Sequence, residues 1–91
     1  MEIIKLLGNE LANKISISPP AARGLIKLSI KDELGPFKPL ELINYDDLKT
    51  TIQNSLKTRL INLDILNSEK IINYLIDELN KNQSLITMAG V

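Results

Sequence analysis

Residues 18–39 read SPPAARGLIKLSIKDELGPFKP, and the fold turns on whether the middle of this proline-bounded stretch is helical. Ser18 suits an N-cap, because its side chain can accept from an otherwise unpaired N–H of the first turn. Pro19 falls at the first helical position, where its fixed φ fits and its missing N–H costs nothing. Gly35-Pro36 supplies the stop. Between them Ala22, Ile26, Ile30 and Leu34 recur every four residues, and Ala21, Leu25 and Leu28 widen the stripe. That spacing predicts a helix over 19–34 with a broad apolar face in the middle of the core. Ala21, Ala22 and Gly24 leave its first turns thin enough for another helix to come close. Residues before proline avoid helical geometry, so Gly35 and Lys38 belong to an extended connection, where Phe37 reads as a plug over the helix ends.

Working outward, Ile3, Ile4, Leu7, Leu11 and Ile15 predict an amphipathic helix over 2–14. Gly8 weakens it by about 1 kcal/mol relative to alanine unless a neighbour packs closely there. Downstream, Asn44 and Asp47 form an approximate capping box, and Asp46 and Asp47 complement the helix dipole. Leu48, Ile52, Leu56, Leu60 and Leu63 give the stripe of a third helix over 45–62. Asn67 is positioned to cap a fourth, 68–81, with Leu66 and Ile71 at the hydrophobic-staple positions. Ile72, Leu75, Ile76 and Leu79 form its core face. The expectation is an all-α fold: one domain over residues 1–91, a compact bundle of four helices (about 2–14, 19–34, 45–62 and 68–81) with an apolar C-terminal tail, SLITMAGV.

Composition narrows the chemistry. The 91 residues are 44% hydrophobic, mostly leucine and isoleucine, with three aromatics and no cysteine or histidine. Scarce aromatics and a single valine argue against a sheet protein. Without histidine or cysteine there is no N/S-ligated zinc site, no Ser-His-Asp triad and no thiolate nucleophile. The glycines form neither a dinucleotide fingerprint nor a phosphate loop. Asp46 and Asp47 diverge by about 100° on a helix and read as capping residues, not as a metal clamp. A non-enzymatic protein with no cofactor is expected. Eleven basic and eleven acidic residues cancel, which removes the global field of a dedicated nucleic-acid binder. No apolar run reaches membrane-spanning length, and the N-terminus lacks a signal-peptide pattern, so a cytoplasmic location is expected.

Two contact surfaces stand out. Ala21 and Gly24 on the second helix, with Leu85, Ile86, Met88 and Val91 of the tail, are candidate contacts for a protein partner or a second copy of the chain. The tail has three plausible uses: a final turn packed on the bundle, an inter-chain contact, or the start of a linker. Arg23, Lys27 and Lys31 recur every four residues as a basic strip, the candidate contact for an anion or nucleic acid. Residues 11–32 even have the layout of a helix-turn-helix. The mostly apolar second helix and the zero net charge weigh against that, because a recognition helix exposes polar residues to base edges. The leading expectation is therefore a helical adaptor, regulatory or oligomerising module, with nucleic-acid binding through the strip as the alternative.

Overall fold

The computed structural model describes residues 2–89, with side chains through Ile86; the side chain of Met88 and all of Val91, both candidate contacts, lie outside the described residues. Helix α1 (Glu2–Ile15) is followed by α2 (Pro19–Leu34), a single 3-10 turn (Leu40–Leu42), α3 (45–62), α4 (Ser68–Lys81) and α5 (Gln83–Ala89). The four expected helices form at the expected places. The segment expected as an apolar tail is helical through Ala89 and packs on α1, so the described residues form a small all-α domain of five helices. Its Cα radius of gyration, 11.9 Å, matches the value of about 12 Å for a compact chain of this length. No helix among the described residues is long and apolar enough to cross a membrane.

The helix ends follow their local chemistry. Ser18 accepts from the Ala21 N–H at 3.3 Å with Pro19 just inside, and Gly35, at φ 90°, closes α2 by donating to the Lys31 carbonyl. The capping box of α3 is complete: Asn44 accepts from the Asp47 N–H, and Asp47 from the Asn44 N–H. Helices α1 and α3 end alike. Ser16 and Asp64 take the left-handed conformation, while the Ile17 and Ile65 N–H groups reach back to the Ala12 and Leu60 carbonyls. These are Schellman ends, which return the chain toward the core without a glycine. Asn67 sits at the predicted cap position but is itself left-handed, and its side chain caps nothing. The predicted staple is absent because Leu66 is 83% exposed.

The core gathers Ile3, Ile4, Leu7 and Leu11 of α1 with Ala22, Ile26 and Ile30 of α2. Leu48, Ile52, Leu56 and Leu60 join from α3, Ile71, Ile72, Leu75 and Leu79 from α4, and Ile86 from α5. The apolar face of α2 is narrower than expected: Ala21 and Leu28 are exposed and Leu34 only half-buried. Leu63 also leaves the predicted stripe of α3, because the helix ends at Asn62. Phe37 does not plug the corner. It is 91% exposed, whereas Ile43, later in the same connection, is buried in the core and Leu34 and Leu40 pack half-buried against it. The two buried hydroxyls, Ser29 and Thr51, donate to the Leu25 and Asp47 carbonyls one turn back, so neither is left unpaired.

Two glycines in helix interiors behave oppositely. A Cβ on Gly8 would lie 2.5 Å from Arg23 Cγ and 3.3 Å from the Arg23 backbone, whereas one on Gly24 would meet nothing within 4 Å. Gly8→Ala should therefore destabilise the protein by about 1 kcal/mol, overpacking outweighing the propensity gain. Gly24→Ala should stabilise it by roughly 0.5–1 kcal/mol. Urea midpoints at unchanged m-value check both; an equal shift in the same direction would remove the assigned close approach.

Candidate functional site

Helices α1 and α2 form a hairpin whose tightest point is Gly8 against Arg23. The contact lays the Arg23 stem across α1 and leaves the side chain half-buried. One turn on along α2, Lys27 faces the same side, and from α1 Lys5 comes up to meet them. With Glu2 and Ile4 these three line an open groove of about 320 Å³. The predicted basic strip is thus reorganised: Arg23 and Lys27 share a groove with Lys5, while Lys31 is exposed and takes no part in its lining. No spacing rule in the sequence reveals Lys5, because its position depends on how the two helices cross. The one signal was Gly8, which foretold a crossing but not its partner.

A second groove, about 380 Å³, lies between the C-terminal turn of α2 and the middle of α3, lined by Asp32, Asn54, Ser55, Thr58, Arg59 and Asn62. Here α3 departs from regular helix: Ile52–Leu56 is a π-turn between Tyr45–Thr51 and Lys57–Asn62. The cause is legible in the core stripe. Leu48, Ile52, Leu56 and Leu60 are each four residues apart, and in a 3.6-residue helix such a row drifts about 40° per step. A wider turn takes up that drift and keeps all four buried. Beside that row Ser55 donates to Glu33 at 2.9 Å and Arg59 to Asp32 at 2.7 Å, tying α3 to the end of α2. Nothing in the sequence marked these side chains beyond ordinary polar surface.

A third groove, about 240 Å³, lies where the end of α1 meets the start of α4, with Lys14, Lys70, Leu66 and Tyr74 in its lining. Lys14 sits 4.1 Å over the Tyr74 ring, and the Tyr74 hydroxyl donates to Glu10 at 2.7 Å. That hydrogen bond to a carboxylate holds the phenol protonated. Partial desolvation adds to it, as do the charges of Glu10, Glu78 and Asp77, and the Tyr74 pKa is pushed up to about 12. The other tyrosine, Tyr45, donates to the Asn80 side chain and joins α3 to α4.

Of the candidate partner contacts, Ala21 is exposed and Gly24 half-buried with open space beyond it, whereas Ile86 is buried and Leu85 half-buried against the core. The structure therefore does not bring the two groups together on one open surface. Among the described residues no three His, Cys, Asp or Glu side chains gather as a metal-holding group. Comparison with family models, curated proteins and solved structures finds no match to the chain.

A raised tyrosine pKa means that the native state holds its proton more tightly than the unfolded chain. The Tyr74–Glu10 link therefore stabilises the fold fully below pH 10 and is lost as pH rises from 10 toward 12. Tyrosinate absorbance should show Tyr74 ionising near pH 12, and Glu10→Gln should move that step down toward pH 10. An unmoved step in the variant would show that Glu10 is not the cause.

Proposed function

We propose that the chain is a non-enzymatic protein-interaction module, docking another protein through apolar side chains carried on its connections. The observation that supports this is the placement of the exposed large hydrophobics. Among the described residues, four of the six exposed large hydrophobics sit on connections: Phe37, 91% exposed, and Leu42, 62% exposed, on the 35–44 connection, and Leu63 and Leu66 on the turn between α3 and α4; the other two, Leu28 and Ile61, lie on helices. Single exposed leucines are ordinary. An exposed phenylalanine on a proline-bracketed loop is a different matter, because aromatic anchors are enriched at protein interfaces and depleted on inert surface. Pro36 and Pro39 limit the backbone freedom of that loop, which lowers the entropic cost of docking. The core is built without these residues, so changing them costs little stability. Relative to the sequence reading, the contact moves from the tail and the thin end of α2 to the loops.

The nucleic-acid alternative gains little from the geometry. The basic groove holds Glu2, and no aromatic ring lines it for base stacking.

The test is photo-crosslinking in cells from a benzoylphenylalanine at position 37, with position 53, an exposed helical site, as the control. A discrete protein adduct from position 37 alone, lost on adding Leu42→Ser, is the expected result. Equal adducts from both positions, or a nuclease-sensitive adduct from 37, would overturn the proposal. Phe37→Ser should leave the free energy of unfolding, measured by urea titration, within about 0.5 kcal/mol of the parent, as for other exposed substitutions.

A further inference from the structure

We infer that the groove formed by Lys5, Arg23 and Lys27 is a binding site for a phosphoryl dianion, either free phosphate or the head of a phosphate monoester. Three observations combine. The first is how the cations are shared out. Of the eleven basic residues, Lys38, Lys57, Arg59 and Lys81 lie within 4.0 Å of a carboxylate, and Lys14 and Lys49 lie over tyrosine rings. Five have no such partner among the described residues: Lys5, Arg23, Lys27, Lys31 and Lys70. Three of those five border this one groove.

The second observation is preorganisation. Arg23 is not a free surface arginine: its backbone and Cγ are pressed against Gly8, so part of the entropy of ordering its side chain is already lost in folding. Lys5 and Lys27 reach the same groove from two helices held together by that contact, so the backbone positions that carry the three cations are set without a ligand. The third is charge and size. Three cations against the Glu2 carboxylate leave two net positive charges, and a phosphate monoester carries about two negative ones at neutral pH. A groove of about 320 Å³ has room for a phosphoryl group and a small organic portion.

The experiment is an amide chemical-shift titration of the full chain at an ionic strength of about 0.15 M, where charges outside the groove are screened, with inorganic phosphate and, separately, glycerol 3-phosphate. Saturable shifts centred on Lys5, Arg23 and Lys27 are expected. Affinity for the ester equal to or above that for phosphate assigns an ester ligand, and binding of phosphate alone assigns the free anion. Lys27→Glu should weaken binding about tenfold, whereas Lys31→Glu, the same charge change on the same helix outside the groove, should weaken it less than about twofold. Both sites are exposed, and unchanged helical circular dichroism verifies that each variant folds. Absence of saturable shifts overturns the proposal, as does equal weakening by the two variants. Tighter binding of a thymidine oligonucleotide than of glycerol 3-phosphate overturns it in favour of a strip that tracks a nucleic-acid backbone.

Discussion

The backbone of α2 lies against α1 because residue 8 has no side chain. At that point the two helices are closer than any larger residue permits, and the approach fixes where Ile3, Leu7 and Leu11 sit relative to Ala22, Ile26 and Ile30. The remaining helices are arranged on this hairpin: α4 and α5 pack on α1, and α3 packs on α2. A glycine inside a helix is locally unfavourable, and its cost is offset by burial over a contact that alanine would hold apart. The same contact sets the direction of Arg23, so one missing side chain governs both the core geometry and the charge pattern of the groove beside it.

Polar side chains at the end of α2 have a complementary role. Asp32 and Glu33 accept from Arg59 and Ser55 of α3, two hydrogen bonds at the place where the π-turn widens the helix. The Arg59–Asp32 pair, solvent-exposed, contributes little to stability. The effect of the two bonds is on register: with both in place, α3 cannot rotate to exchange its leucine row for its polar face without breaking them.

Capping chemistry and apolar spacing made the helices legible in the sequence. Ser18-Pro19, Gly35-Pro36 and the Asn44–Asp47 box marked real boundaries, since each acts through neighbours a few residues away. What depends on distant contacts was not legible. Phe37 looked like a plug because a lone phenylalanine in an aliphatic chain is expected to be buried, yet of the residues in that connection it is Ile43, just after the 3-10 turn, that is buried in the core. Asn67 looked like a cap by position, but a cap takes extended backbone geometry, whereas Asn67 is left-handed and its side chain makes no capping hydrogen bond. The basic strip was half visible: Arg23 and Lys27 follow from helical spacing, while Lys5 joins them only through the crossing of two helices.

The position of α1 bears on the order in which the chain acquires structure. Helices α1 and α2 are adjacent in sequence and can pair through short-range contacts as soon as both have been synthesised. The flank of α1 that meets α4 and α5 is covered only when Ser68–Lys81 and Gln83–Ala89 have followed. Until then, any pairing of α1 with α2 leaves a row of isoleucine and leucine on α1 uncovered, and transiently exposed apolar surface of that kind favours misassociation. The last helices act as a latch across the first, so clipping the chain after α3 leaves a fragment with its earliest apolar surface open.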